Sequence, residues 1–396
     1  MGKNSGVTVM KNEKEFSLVV FGASGFTGRL VAEYLAAQYG DNLKWAIAGR
    51  NEEKLKSVRE EVGAGDVPLI IADSDDEASL KNMVARADIV LTTTGPYQLY
   101  GEGLFKACAE AGTHYVDLCG EPGWMYDMIG KYQDTASKSG ARLVFSCGFD
   151  SVPFDLGVQY VQKAAIGKWG EPAGRVRCRV RAMNGEFSGG TAASFKATVK
   201  SLETRPELFN VLINPFCLAG KAGPEQPADN KPYEDDVLGA WVAPFIMAAI
   251  NTKNVHRSNA LMGYAYGENF LYDEMMVAGV GDEGKAVAEF LAKASPLEGE
   301  NVPQPGEGPS KEKRESGNYD VLFLAEGADG ALLKASVKGD MDPGYGSTSK
   351  MIAESALCLV QDCEDLGGGI YTVASAMGDK LVTRLEANAG LTFNME

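Results

Sequence analysis

Three glycines spaced three residues apart are the first feature of this sequence that could do chemistry. Gly22, Gly25 and Gly28 follow an apolar run at residues 18–21 and precede a segment whose apolar residues recur at helical spacing. Glycine permits a sharp turn and lets bare backbone approach a ligand closely. A turn that opens a helix also directs free N–H groups and the positive end of the helix dipole to one point. The pattern therefore predicts a binding site for a dinucleotide pyrophosphate.

The residue after the second apolar run indicates which dinucleotide would fit. Arg50 stands there, in the stretch WAIAGRNEEKL, where a carboxylate would accept hydrogen bonds from the ribose hydroxyls of NAD. A guanidinium can instead bind a 2′-phosphate through two hydrogen bonds, which favours NADP. A solvated surface arginine is the alternative. Asp73, after the third apolar run, could meet the adenine edge or cap a helix that begins near Glu77.

Hydride chemistry would take place at the next loop, in the stretch TTTGPYQLYGEGL. Gly95 and Pro96 would let this loop pass close under a nicotinamide ring. Tyr97 and Tyr100 offer hydroxyl groups beside it, although either ring could simply pack in the core.

A doubly wound parallel sheet over about the first 150 residues would position these residues. Short apolar runs alternate there with amphipathic segments, which is typical of strands connected by helices. The ligand crevice of such a sheet lies at the carboxyl ends of its strands, where the glycine turn would lie. The predicted strands are 16–21, 43–48, 67–72, 87–93, 114–118 and 141–146, and the predicted helices lie near 27–39, 51–62, 76–87, 101–112 and 124–139.

Composition excludes several other classes of protein. The net charge of −16 opposes unaided binding to nucleic acid or to an anionic membrane, and two histidines cannot form a histidine-rich metal site. Seven cysteines without a C-x-x-C pair indicate reduced thiols in a cytoplasmic protein. The longest apolar run, residues 237–250, is too short to span a bilayer, and no leader peptide is evident. We expect no metal, no nucleic acid and no transmembrane segment.

Longer blocks of the sequence resemble a known family. The blocks FGASGFTGRLV, WAIAGRNEEKL, TTTGPYQLYGEGLFKAC, YVDLCGEP and CGFDSVPFDLG are similar to successive signatures of the saccharopine dehydrogenase-like oxidoreductases. The blocks SGGTAAS, PGEGPS, GDMDPGYGSTSKMIAESALCL and GGIYTVASAMGDKL are similar to the trans-acting enoyl reductase branch of that family. The resemblance implies an α/β fold in three parts. These are an NADP-binding Rossmann domain over 1–152, an α+β domain with an antiparallel sheet over 153–342, and C-terminal helices over 343–396 that return to the first domain.

The resemblance also implies roles for individual residues. It assigns Arg50 to the second-strand arginine of the family and Gly95 with Pro96 to the loop on the nicotinamide side. Many relatives have serine where this chain has Phe154, which argues against a polar role at that position. The residues that match the phosphate loop of the family are Gly22, Ala23, Ser24, Gly25, Phe26, Thr27 and Gly28.

The expected activity is NADPH-dependent reduction of the carbon–carbon double bond of an enoyl thioester or a related lipid or polyketide intermediate, free or carrier-bound. Hydride addition at the β-carbon leaves an enolate, which needs a hydrogen-bond donor at its oxygen and a proton at its α-carbon. The candidate catalytic residues are Tyr97, Tyr100, Tyr115 and Asp150, with Ser151 in support.

Two other functions remain open, namely an imine or amino-acid reductase of the saccharopine type and a non-catalytic, lipid-associated scaffold that binds NADP. An alternating strand from residue 174 would place four arginines on one face. They could bind substrate carboxylates, a phosphate-bearing substrate arm or an acidic carrier protein. The favoured interpretation is a solvated face paired with nearby carboxylates, or a homodimer contact. The four are Arg175, Arg177, Arg179 and Arg181.

The apolar run at residues 237–250 suggests where an acyl chain would lie. It contains Trp241, Phe245 and Met247, and apolar and aromatic side chains are the usual lining of a ligand pocket. We predict that this run forms a wall of a cavity that opens toward Gly95 and Pro96.

Overall fold

Two seven-stranded sheets organise the computed structural model, which describes residues 14–186, 189–294 and 306–396. In chain order the strands are β1 (Phe16–Phe21), β2 (Trp45–Gly49), β3 (Leu69–Ile71), β4 (Ala87–Thr92), β5 (His114–Val116), β6 (Arg142–Val144), β7 (Arg175–Asn184), β8 (Tyr233–Asp235), β9 (Ala240–Pro244), β10 (Leu271–Gly279), β11 (Asn318–Glu326), β12 (Leu332–Gly339), β13 (Gly369–Tyr371) and β14 (Leu391–Met395).

Helices cover both sheets. They are α1 (Phe26–Gln38), α2 (Glu52–Glu61), α3 (Glu77–Ala85), α4 (Tyr97–Tyr100), α5 (Glu102–Ala111), α6 (Pro122–Ser139), α7 (Val152–Trp169), α8 (Gly189–Thr204), α9 (Leu208–Ile213), α10 (Ala248–Leu261), α11 (Gly281–Leu291), α12 (Lys311–Ser316), α13 (Thr348–Gln361), α14 (Val373–Ala376) and α15 (Gly378–Arg384). Among the described residues, none of these helices has both the length and the apolar character that a bilayer crossing requires.

The first sheet is parallel throughout, with the strand order β13-β6-β5-β4-β1-β2-β3. Helices on both faces explain why its central strands are apolar without alternation, as in β1, where Leu18, Val19 and Val20 are fully buried. All six predicted strands are present, although several are shorter than expected. The seventh, β13, was not predicted, and it pairs with β6 at the edge of the sheet.

The second sheet is mixed, with the strand order β14-β12-β11-β7-β10-β9-β8. The expectation of an antiparallel sheet is corrected at one pair, because β7 and β10 run parallel. The connection between these two strands contains β8, β9 and α10, and a crossover of this kind lets two neighbouring strands point the same way.

The segment after residue 343 joins both sheets rather than only the first. Helix α13 packs against α1, β13 extends the first sheet, and β14 pairs with β12 in the second. The C-terminal helices predicted over 343–396 include α14, α15 and a wider helical turn at Leu385–Ala389. The stretch 295–317 is rich in proline, glycine and charge, which predicts a loop; its positions 295–305 lie outside the described residues, and Lys311–Ser316 forms α12 instead.

Candidate active site

A cleft of about 1680 Å³ lies at the carboxyl ends of the first-sheet strands. This position agrees with the general rule for doubly wound sheets, in which ligands bind outside the carboxyl ends of the strands. Helix α8 and the turn before α13 complete its walls. The predicted cofactor residues that line it are Gly22, Ser24, Gly25, Phe26, Thr27, Arg50, Asp73, Gly95 and Pro96.

The glycine turn has a geometry that side chains would disrupt. Gly22 has a φ of +88°, and a Cβ on it would lie 2.5 Å from Thr94 Oγ1. A Cβ on Gly28 would lie 2.2 Å from the carbonyl oxygen of Gly22, so Gly28 allows α1 to pack against the turn. Gly25 precedes α1, whose first turn has no side-chain cap. The N–H groups of the first turn of α1 can therefore bind an anion in the cleft.

Two predicted members of the phosphate loop do not line the cleft. Ala23 is fully buried in the core of the first sheet, and Gly28 lies against the turn itself. Both residues support the loop on its side away from the cleft, whereas the other five members line the space where a ligand would bind.

The adenine end of the cleft carries a second cation that sequence reasoning missed. Lys54, in the first turn of α2, lines the cleft together with the exposed Arg50. Its spacing of four residues from Arg50 was the available signal. Asp73 also lines this end, and the alternative that it caps α3 is wrong. Asp76 is the cap, since its carboxylate accepts hydrogen bonds from the N–H groups of Ala78 and Ser79.

The loop at Gly95–Pro96 is fixed by a buried carboxylate. Glu121 accepts hydrogen bonds from the backbone N–H of Tyr97 at 2.9 Å and of Gln98 at 2.8 Å. The hydroxyl of Ser194, in α8, donates a further hydrogen bond to Glu121 at 2.8 Å. Glu121 therefore ties the predicted nicotinamide-side loop to the second part of the chain. Only its place in the block YVDLCGEP could have drawn attention to it.

The three candidate tyrosines occupy different environments. Tyr97 lines the cleft, but its hydroxyl donates to the carbonyl of Thr92 and accepts from the N–H of Leu118. Tyr115 does not line the cleft, and its buried hydroxyl donates to Asp117 at 2.9 Å. We therefore correct the prediction for both hydroxyls, because each is engaged by the protein. Tyr100 lines the cleft and is exposed.

Asp150 lies in the cleft wall beyond the end of β6, on the nicotinamide side of the predicted dinucleotide site. Burial raises the pKa of its carboxyl to about 7. The neighbouring loop is held by α13, since the hydroxyl of Thr348 accepts a hydrogen bond from the N–H of Phe149 at 2.9 Å. Ser151 lies behind this loop, where its hydroxyl donates to Asn251. Ser151 thus supports Asp150 through the backbone without reaching the cleft.

Beyond Gly95 and Pro96 one side of the cleft is lined by apolar side chains and is called the apolar arm here. Helices α6 and α8, which contribute to this arm, also bring Lys131, Lys196 and Lys200 to the cleft. The predicted wall at residues 237–250 is correct only for its second part, because Trp241 lies in β9 and Phe245 packs against Phe154 in the core. The apolar side chains of this arm are Leu99, Trp124, Met128, Phe195, Leu208, Leu212, Ile246, Met247 and Ile250.

The four alternating arginines of β7 are paired with carboxylates of the second sheet. Arg179 is fully buried and contacts Asp235 and Asp273, each at 2.7 Å. Arg177 pairs with Asp236 and Arg181 with Asp320. None of the four lines the cleft within the described residues, so the alternative that they bind a substrate in this cleft is wrong. Pairing with carboxylates was anticipated, but the predicted solvated face is in large part buried.

Comparison with known proteins agrees with this geometry. Residues 18–144 match the family model described as the saccharopine dehydrogenase NADP binding domain. The chain is 39% identical to the protein Rv2449c of Mycobacterium tuberculosis, whose name assigns it provisionally to the trans-acting enoyl reductases. The match covers 94% of this chain and 96% of that protein. The trans-acting enoyl reductase of Mycobacterium ulcerans is 35% identical over the same shares.

The chain belongs to the trans-acting enoyl reductase branch of the saccharopine dehydrogenase-like family. The predicted family and its α/β fold are thereby confirmed, and members of this family are NADP-dependent oxidoreductases. The saccharopine dehydrogenase (L-Glu forming) of Saccharomyces cerevisiae shares the fold. Its TM-score is 0.53 at 13% identity, over 96% of this chain and 100% of that one.

Proposed function

We propose that this oxidoreductase reduces the carbon–carbon double bond of an enoyl thioester with NADPH. The observation that carries the proposal is the continuity of the cleft, from Arg50 and the glycine turn, past Asp150, into the apolar arm. The apolar side chains of this arm suit an acyl chain. The names of the relatives, trans-acting enoyl reductase, point to the same reaction.

The residues present fit NADP. Gly22 and Gly25 leave a cradle at the start of α1 for the pyrophosphate, while Arg50 and Lys54 supply positive charge for the 2′-phosphate. Asp73 is assigned to the adenine edge. Bound NADPH would supply a hydride to the β-carbon of the substrate.

Asp150 is the residue that we assign to proton transfer. With its pKa raised to about 7 by burial, its carboxyl still holds a proton near neutral pH. A carboxyl at this place can deliver that proton to the α-carbon as the enolate collapses, and water in the open cleft can restore it. Tyr100, exposed at the wall of the apolar arm, is assigned to contact with the substrate rather than to proton transfer.

The saccharopine-type reaction remains the second candidate, although the arginines invoked for it are paired away from the cleft. The test is oxidation of NADPH by the purified protein, followed by absorbance. We expect turnover with trans-2-octenoyl-CoA and none with 2-oxoglutarate plus lysine. The reverse result would replace the proposed function with imine reduction, and NADPH binding without turnover of any enoyl thioester would remove the proposed reaction.

A further inference from the structure

Tyr345 reaches the cleft from the last part of the chain, in the turn Pro343–Ser347 before α13. Buried Asp342 fixes this turn, since its carboxylate accepts hydrogen bonds from the N–H groups of Tyr345 at 2.9 Å and of Gly346 at 2.8 Å. The sequence DPGYGS thus folds into a rigid support for one aromatic side chain.

The Tyr345 side chain lies between the glycine turn and helix α8. It is 3% exposed, and its ring packs edge-on against Phe26 of the glycine turn, with 5.1 Å between the ring centroids. Thr191, in the first turn of α8, forms a side-chain hydrogen bond with the Tyr345 hydroxyl. Tyr345, Thr191 and Asp150 all line the same cleft. The phenol is therefore placed by three separate parts of the chain.

The surroundings of Tyr345 keep its phenol neutral. Burial raises its pKa, and the carboxyls of Asp342 and Asp150 raise it further. The hydrogen bond from Thr191 lowers the pKa, which is the effect of a partner that donates to the phenolic oxygen. Because Thr191 donates to the phenolic oxygen, the O–H of Tyr345 can itself donate to a ligand in the cleft that this residue lines. A donor that keeps its own proton can stabilise negative charge on an oxygen without ending up charged itself.

We propose that Tyr345 donates a hydrogen bond to the carbonyl oxygen of the thioester, and that Thr191 is a positioning residue that orients its hydroxyl. This inference rests on the proposed enoyl reduction. It assigns the hydrogen bond to the carbonyl oxygen to Tyr345 and the proton transfer to Asp150. As hydride reaches the β-carbon, the electron pair of the double bond moves toward the carbonyl oxygen, which Tyr345 stabilises. The α-carbon then takes the proton of Asp150 and the carbonyl re-forms.

The first test is Tyr345→Phe, which keeps the ring on Phe26 and removes only the hydroxyl. We expect kcat/KM for trans-2-octenoyl-CoA to fall by about 100-fold, the typical loss of one oxyanion donor, with unchanged affinity for NADPH. Thr191→Val should give a smaller loss. It also keeps the proposal testable if Tyr345→Phe fails to fold.

The second test does not depend on turnover. Octanoyl-CoA labelled with ¹³C at the carbonyl is bound to the protein, and the infrared band of its carbonyl is recorded. A hydrogen bond from Tyr345 should move the band to lower frequency in the unmodified protein, Tyr345→Phe should abolish that shift, and Thr191→Val should reduce it. Tyr319→Phe is the matched control, because its hydroxyl bonds Ser347 in the same turn from outside the cleft.

The outcomes separate the two proposals. An unmodified protein that does not reduce the enoyl thioester contradicts the proposed function itself. If the unmodified protein is active, while Tyr345→Phe retains its rate and its shifted carbonyl band, the role of Tyr345 is overturned. A control variant, Tyr319→Phe, that loses the band shift to the same extent would likewise overturn it.

Discussion

At the residue scale, the adenine end of the cleft presents Arg50 and Lys54 to a ligand. Sequence alone singled out Arg50, because the place after the second strand of a dinucleotide-binding fold has a known chemical task. It did not single out Lys54 or Tyr345. Lys54 is one of several charged residues in α2, and the position of Tyr345 against Phe26 depends on packing between remote parts of the chain.

Removing the Arg50 guanidinium should change the choice between cofactors. We expect Arg50→Ala to weaken the binding of NADPH by about 10- to 100-fold, since a charge-assisted hydrogen bond contributes about 1.5–3 kcal/mol. The affinity for NADH should stay nearly unchanged. Exposure of Arg50 moves the effect toward the lower value. Lys54→Ala should cause a smaller loss, because an ammonium cannot bind phosphate in a bidentate way. Calorimetric titration measures the affinities of both variants. Equal affinity of the unmodified protein for NADPH and NADH would contradict the assignment of Arg50 to the 2′-phosphate.

Asp150 predicts the pH dependence of the reaction. An acid must be protonated to act, and the pKa of this carboxyl is about 7, so kcat should fall as the pH rises through that value. Asp150→Asn keeps the size of the side chain and removes the proton. It should lower kcat by about 100-fold or more and flatten the profile. A variant that keeps the same alkaline limb as the unmodified protein would assign the titration to another group.

At the element scale, apolar runs predicted the central strands well because both faces of a parallel sheet exclude water. They failed at β13, because only two apolar residues, Ile370 and Tyr371, follow a run of three glycines there. At β7 the alternation predicted the strand correctly, but it did not predict that the face with the arginines is in large part buried. The partners of Arg179 come from β8 and β10, and only the folded sheet brings Asp235 and Asp273 beside it.

The glycine turn allows a test that separates binding from folding. A Cβ on Gly25 would lie 3.3 Å from the carbonyl oxygen of Gly22, a tight but tolerable contact. The Gly25→Ala variant should therefore fold. It should bind both NADPH and NADH more weakly, since the methyl group obstructs the pyrophosphate that the two cofactors share. At Gly28 the same change brings the Cβ to 2.2 Å from that oxygen, and it should lower the melting temperature. Thermal unfolding and titrations with NADPH and NADH test the two variants. If Gly25→Ala loses affinity for only one of the two cofactors, the assignment of Gly25 to the shared pyrophosphate is refuted.

At the scale of the whole molecule, an acidic protein buries carboxyl groups between its sheets and helices. Glu274 is fully buried in β10, where it accepts hydrogen bonds from Asn251 and Tyr272, and burial raises its pKa to about 8. In the unfolded chain this group would ionise near its ordinary value of 4.5. The folded state thus binds the extra proton between these two values, and its stability must decrease as the pH rises through that interval.

Glu274→Gln should remove this dependence, because an amide cannot ionise. We expect the free energy of unfolding of the variant, relative to the unmodified protein, to increase between about pH 5 and pH 9 by on the order of a few kcal/mol. Urea unfolding at several pH values measures it. Asp273→Asn, at the neighbouring position of the same strand, breaks an ion pair with Arg179 and should be destabilising at every pH. A constant difference between Glu274→Gln and the unmodified protein would show that Glu274 is ionised in the folded state.

The place of β13 has a consequence for how the protein is made. Strand β6 ends at Val144, and β13, which covers its open edge, begins only at Gly369. A ribosome therefore completes the whole second sheet apart from β14 before it supplies the strand that finishes the first. Through that interval the nascent chain carries an uncovered parallel edge, which can pair with other chains. Chaperones that shield such edges would have their greatest effect on this protein during its synthesis.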